Sequence, residues 1–167
     1  AFATGLVVQH RRHATGFSIS PRKEQSFDIR ECSKKEWAKF RRYHYLTSDL
    51  PSHSKCYGLY DVEKIVGFIA VIHFPHPKNK KIKHISRLVI LPEYQGIGLG
   101  MRFLTRVAEL YKGYDVMIVT SSRNLIHALH KNDQWITKRY NRAGKQTTGV
   151  CKSKRSHVKT ATFKYRN

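Results

Sequence analysis

Acid is what this chain of 167 residues has least of: eleven Asp and Glu stand against thirty-two Lys and Arg, a formal net charge of +21. After Asp133 no acid occurs at all, while Lys and Arg recur to the end of the chain. Such a surface attracts polyanions, of which nucleic acid is the commonest, and repels polyamines and basic protein tails. Cysteine is nearly as scarce. Cys32, Cys56 and Cys151 are far apart and odd in number. With no C-x-x-C spacing they support neither a zinc ribbon nor a disulfide framework, and they read as reduced, intracellular thiols. No apolar run is long enough to cross a bilayer, so the expectation is a soluble, cytoplasmic protein with no membrane partner. Metal-ligand spacing is missing too. His73, His76 and His84 come nearest, but no Cys or carboxylate joins them, and no metal is expected. No Ser or Cys nucleophile with a partnered base is apparent either.

What is present suffices for one domain, since 40% of the residues are hydrophobic. Residues 1–25 carry Arg11, Arg12, Arg22 and Lys23 and read as a basic extension of unknown role, superficially like a transit peptide. The first residue is Ala, which is compatible with a domain cut from a longer parent chain that carries a partner domain. Residues 26–167 then form the single domain. SFDIREC (26–32) alternates as a strand, and Ser33 to Glu36 fits a capping box opening a helix with Trp37 and Phe40 on one face, running toward Leu46. CYGLYDV (56–62) and KIVGFIAVIHF (64–74) form a hairpin, and IKHISRLVIL (82–91) is the next strand. A helix after Gly100, a strand over 115–122, a short helix over 124–131 and a strand over 157–165 complete the order β-α-β-β-β-α-β-α-β. That order predicts an α+β fold around a mixed sheet.

The strand at 82–91 runs into Pro92-Glu93-Tyr94-Gln95-Gly96-Ile97-Gly98-Leu99-Gly100, and helical spacing follows at Phe103, Leu104, Val107 and Leu110. Strand, glycine turn and helix together leave backbone amides pointing outward at a positive helix end, where an anion is favoured. The Walker form requires Lys then Ser or Thr after its last glycine, and Met101-Arg102 stand there instead. A dinucleotide turn begun at Gly96 requires glycine at 101 and finds Met. A turn that merely packs on the sheet and binds nothing needs only one or two glycines.

The remaining pattern, Gln95-Gly96-x-Gly98-x-Gly100 after an apolar strand and a proline, resembles the acetyl-CoA turn of the GNAT superfamily of N-acetyltransferases. The resemblance extends over the order of elements from about residue 26 to 165. It implies a GNAT-like mixed, largely antiparallel sheet with helices on both faces, and acetyl-CoA or another acyl-CoA as cofactor. It places the pyrophosphate on amides of Gln95, Gly96, Ile97, Gly98, Leu99, Gly100 and Met101. The arm would lie on the backbone of Leu88, Val89 and Ile90, where the strand bulges, with Asn124 contacting it further on. The family's usual tyrosine, a general acid for the leaving thiolate, is missing: Ala128, Leu129, His130 and Lys131 occupy that region, leaving Ser121, Ser122 and His130 as substitutes. RYHYL, VIHFPHP and the turn together resemble a branch found in phages and beside ATPase domains, including DNA-modification relatives.

For the amine's proton, His44 with Tyr45 is the first candidate, since the loop after the first helix borders the acceptor cleft in that family; His84, on the glycine strand, is the second. Histidine titrates near neutrality and suits a base, although a strand histidine is more often structural. Arg41 and Arg42, the cluster Lys78, Lys80, Lys81 and Lys83, and Lys138, Arg139 and Arg142 are the candidate nucleic-acid contacts; Arg41-Arg42 and Lys138-Arg139 interleave with tyrosines. The leading expectation is an acyl-CoA-dependent N-acyltransferase whose acceptor amine belongs to, or is carried by, nucleic acid, either a DNA base or tRNA. Two alternatives stand beside it: an N-acetyltransferase of a protein or small-molecule amine, and a nucleic-acid-binding module that keeps the fold with little catalysis.

Overall fold

The computed structural model describes residues 4–8, 25–44, 49–141 and 159–166. The strands are β1 (Thr4–Val8), β2 (Gln25–Glu31), β3 (Lys55–Asp61), β4 (Lys64–His73), β5 (Ile82–Ile90), β6 (Asp115–Thr120), β7 (Trp135–Asn141) and β8 (Thr160–Tyr165). The helices are α1 (Trp37–Phe40), α2 (Leu99–Glu109) and α3 (Arg123–His130). One sheet holds all eight strands in the order β1-β2-β3-β4-β5-β6-β8-β7. Among the described strands only β5 and β6 pair in parallel, and α2 is the crossover that a parallel pair requires. The mixed, largely antiparallel α+β architecture expected from the sequence is therefore present.

Two strands lie outside the expected order. Thr4–Val8, within the stretch set apart as an extension, pairs antiparallel with β2 and forms one edge of the sheet. Residues 135–141, to which the expected order gives no element, form the other edge as β7. A charged edge strand looks like a loop because its Lys138 and Arg139 break the alternation, and such charge discourages pairing with foreign strands. The first helix is also shorter than expected. Its α-helical core is a single turn, with 3-10 turns at Lys34–Glu36 and Arg41–Tyr43 on either side, and it ends at His44. Ser33 caps it by accepting from the Lys35 amide, but Glu36 pairs with Lys39 at 2.7 Å, so the reciprocal half of the capping box is diverted.

β4 is buried on both faces and divides the core in two. Val66, Ile69 and Val71 meet α2 and α3 through Leu99, Phe103, Leu104, Val107 and Leu129. Phe68 and Ala70 meet Trp37 and Phe40 of α1 on the other face. Helices thus cover both faces, each through the apolar stripe its spacing predicts. Among the described residues, no helix is long and apolar enough to cross a membrane.

Cys32 and Cys56 are free thiols lying side by side, with the Cys32 amide donating to the Cys56 carbonyl at 3.0 Å. Burial, then the neighbouring Cys56 and Glu36, pushes the Cys32 thiol up to about 12. Burial raises Cys56 as well. Since the thiolate is the nucleophile, neither residue should be alkylated in the native protein near neutral pH. Peptide mass spectrometry after iodoacetamide treatment should find both unlabelled until denaturant is added; native labelling of Cys32 would contradict this environment.

Candidate active site

β5 positions most of the candidate site. Its register with β4 slips between Ala70 and Val71, which face Arg87 and Ile85, so Ser86 is an extra residue. The Ser86 hydroxyl donates to the Ala70 carbonyl at 3.1 Å and pins the bulge. On its other side β5 pairs with β6 only from Ile82 to Ile85, while β6 stays attached to β8 as far as Thr120. The sheet therefore splits at the bulge. From Ser86 to Ile90 the backbone groups of β5 that face β6 have no ladder partner among the described strands. An extended ligand arm can enter this gap and pair as a strand would.

The glycine turn closes the same end. Gly96 and Gly98 have φ of 84° and 78°, a left-handed region where glycine is the residue without penalty. A Cβ placed on either would meet nothing within 4 Å, so conformation and not crowding requires glycine there, and the space outside is open. Gly98 is the N-cap of α2 and has no side chain with which to cap it. Among the described residues, the amides from Gly96 to Met101 make no backbone hydrogen bond, and the Arg102 amide is the first to bond back, to Gly98 at 3.2 Å. A run of unpaired amides at a helix start is a donor set able to hold an anion. Gln95 leaves that set: its amide donates to the Pro92 carbonyl at 3.2 Å, and its side-chain amide donates to the Ile90 carbonyl at 2.7 Å. It braces the turn, and it also takes the Ile90 carbonyl out of the group available to the arm.

Leu88, Val89 and Ile90 belong to the part of β5 that runs beyond its pairing with β6, and Asn124 lies exposed in the first turn of α3. Ser122 is the N-cap of that helix, accepting from the Leu125 amide at 3.4 Å, so its oxygen has a structural task. His130 stacks on Tyr140 of β7 at 5.4 Å and stands edge-on to Phe163, so it too is engaged in packing.

The two candidate bases differ in setting. His44 lies at the end of the α1 region with its ring edge-on to Trp37, 5.6 Å between centroids. Tyr45 lies outside the described residues. His84 sits on β5 between Ile72 and Met117 in register, next to the Phe74 ring, two residues before the bulge. Burial depresses its pKa below the ordinary histidine value. An imidazole that stays neutral at pH 7 can accept a proton there. Sequence reasoning missed Arg87. Its guanidinium is buried 5.7 Å from the Trp37 ring, and it donates to the Ser86 carbonyl at 2.8 Å, so a cation borders the bulge on the α1 face. An arginine directly before the apolar run Leu88-Val89-Ile90 was the available signal.

The basic candidates do not converge on one patch. Arg41 pairs with Asp49, and Arg42 lies over the Tyr43 ring at 4.7 Å, both beside α1. Lys78, Lys80, Lys81 and Lys83 lie at the far end of β5 from the glycine turn. Lys138 and Arg139 are on the outer edge, in β7, and Arg142 lies outside the described residues. No group of three metal-ligating side chains gathers among the described residues.

Residues 22–131 match the Acetyltransferase (GNAT) family. No curated protein matches the chain. Among solved structures, the ribosomal-protein-S18-alanine N-acetyltransferase of Escherichia coli has a TM-score of 0.62 at 12% identity, over 84% of this chain and 95% of the other. A Bacillus subtilis acetyltransferase in complex with CoA gives 0.62 at 12% identity, over 84% and 97%. Arabidopsis thaliana NAA60 in complex with acetyl-CoA gives 0.58 at 13% identity, over 83% and 97%. At these identities the likeness is one of fold.

Proposed function

The chain belongs to the acetyltransferase (GNAT) family, and from that premise we propose that it transfers an acetyl group from acetyl-CoA to an amine of, or carried by, nucleic acid, in the cytoplasm. The observation that carries the cofactor is the unpaired amide run from Gly96 to Met101 beside the split between β5 and β6. Acetyl-CoA supplies an activated acyl thioester when bound. The Gly96–Met101 amides would hold its phosphates, and the β5 backbone from Ser86 onward would align its arm. His84, kept neutral by burial, takes the proton that the attacking amine sheds. Arg87 and Trp37, with His44 against the indole, wall the α1 side of the bulge. The thiolate released on transfer would take its proton from solvent, since no described residue is assigned to supply it.

What supports a nucleic-acid acceptor is charge: a formal +21, with no acid after Asp133. A cationic surface concentrates polyanions and repels cationic amines. The narrower placement, in the branch found in phages and beside ATPase domains, rests on RYHYL, VIHFPHP and the glycine turn alone. Incubation of DNA and of tRNA with isotope-labelled acetyl-CoA, followed by nucleoside mass spectrometry, tests the acceptor. Label should appear on a base or on an aminoacyl group. Label confined to protein amines or small molecules would overturn the assignment, and binding of nucleic acid without any transfer would make the chain a binding module.

A further inference from the structure

We propose that the end of the sheet opposite the glycine turn is a dock for single-stranded nucleic acid, built from the β4–β5 loop and the tyrosines that follow α2. The proposal deepens the acceptor assignment by locating the strand, but its test reads binding and not transfer.

The loop between β4 and β5 is braced. The Phe74 amide donates to the Ile82 carbonyl at 3.0 Å and the Lys78 amide to His76 Nδ1 at 3.3 Å. The Lys81 amide donates to Asn79 Oδ1, while Asn79 Nδ2 donates to Asp115, both at 2.8 Å. The Asp115 amide in turn donates to the Lys81 carbonyl at 2.8 Å. Asp115 is the local acid, and Lys164 holds it at 2.6 Å, so its carboxyl lies below the usual range, chiefly through that bond. Lys78, Lys80, Lys81 and Lys83 join no ion pair among the described residues. A fixed loop thus presents three uncompensated cations, Lys78, Lys80 and Lys81, with Lys83 beside them at the start of β5.

Exposed rings stand on both sides of it. Phe74 is 45% exposed beside His84, and Tyr114 is 39% exposed with Lys83 Nζ 4.9 Å from its centroid. Tyr114 meets Tyr111 edge-on, and the Tyr111 hydroxyl reaches that of Tyr57 at 3.0 Å, which braces Tyr114 from behind. Rings interleaved with lysines hold phosphates and offer π-faces to bases. In a duplex those faces are already stacked, so unpaired bases are the partner that uses both features. His84 touches Phe74, so a strand held here lies next to the candidate base.

Fluorescence anisotropy with a labelled single-stranded oligonucleotide and a duplex of equal length, near 0.1 M salt, tests the dock. The parent should prefer the single strand. Phe74→Ala and Tyr114→Ala should each weaken single-strand binding by about 5- to 150-fold and change duplex binding little. Replacing Lys80 and Lys81 by Ala should make the salt slope shallower by about 0.7 for each phosphate no longer neutralised. Calorimetry with CoA should be unchanged, because β5 separates the dock from the turn by roughly 25 Å. Both rings are exposed, and thermal melting checks that the variants remain folded. Ring variants that bind like the parent would overturn the proposal, as would binding confined to the duplex or to phosphatidylserine vesicles. An oligonucleotide that binds here and is never acetylated would support the dock while overturning the acceptor assignment.

Discussion

Gly98→Asp should abolish CoA binding and leave the fold intact. The two effects separate because of where the residue sits. At φ 78° and at the N-cap of α2, Gly98 occupies a position that Asp tolerates better than most residues, and nothing within 4 Å would obstruct its Cβ. Its charge suits the positive helix end, which offsets part of the strain that any side chain meets at this positive φ, so the protein should stay folded with stability lowered by about 1 kcal/mol. The same carboxylate would occupy the open face of the amide cradle, satisfy its donors and repel a pyrophosphate. Losing two charge-assisted hydrogen bonds at about 1.5–3 kcal/mol each weakens binding by about a hundred-fold or more. Calorimetry with CoA, paired with thermal melting, measures both halves. Parent-like affinity in this variant would mean that the turn is structural and the site lies elsewhere.

His84→Ala should lower kcat by about 10² to 10⁴, the range for a lost general base, with CoA affinity unchanged. The pH profile identifies the role independently. Burial disfavours the imidazolium, so protonation of His84 occurs only below the ordinary value of about 6.5. In the parent, kcat/KM should therefore stay level in base content through neutral pH and fall on the acidic side as His84 takes up its proton. That acid limb should vanish in the variant. A variant at full rate, with the loss appearing instead in His44→Ala, would make His44 the base and reduce His84 to a packing residue of β5.

The parts of this fold that a sequence betrays are those in which one residue type has one physical reason to be present. Gly96 and Gly98 were legible because positive φ demands glycine, and α2 because Phe103, Leu104 and Val107 recur on one face. β8 was legible because Ala161, Phe163 and Tyr165 alternate inward. The bulge at Ser86 left no local mark at its own position, since an extra residue is visible only against a partner strand. β7 was hidden by the charge that protects an edge. The α1 region was overextended because Arg41-Arg42-Tyr43 suits a helix locally, and nothing in that run reports the 3-10 geometry that ends it. Gln95 was assigned to the phosphate by position, yet its amide was already committed to Pro92.

The split in the sheet has a mechanical side. The backbone ladder that joins the strands before the glycine helix to those after it runs only from Ile82 to Ile85. This is a seam, and seams are where native proteins open first. A ligand lying across the gap and binding only the closed form would stitch the two halves together, adding about 4 kcal/mol of stability when present at a thousand times its dissociation constant. Amides of β5 beyond Ser86 and of the β6 end should then exchange hydrogen slowly in the liganded protein and early in the free one. The supply of acyl donor in the cell would thereby set how often the chain exposes this seam to a protease, as well as how fast it works.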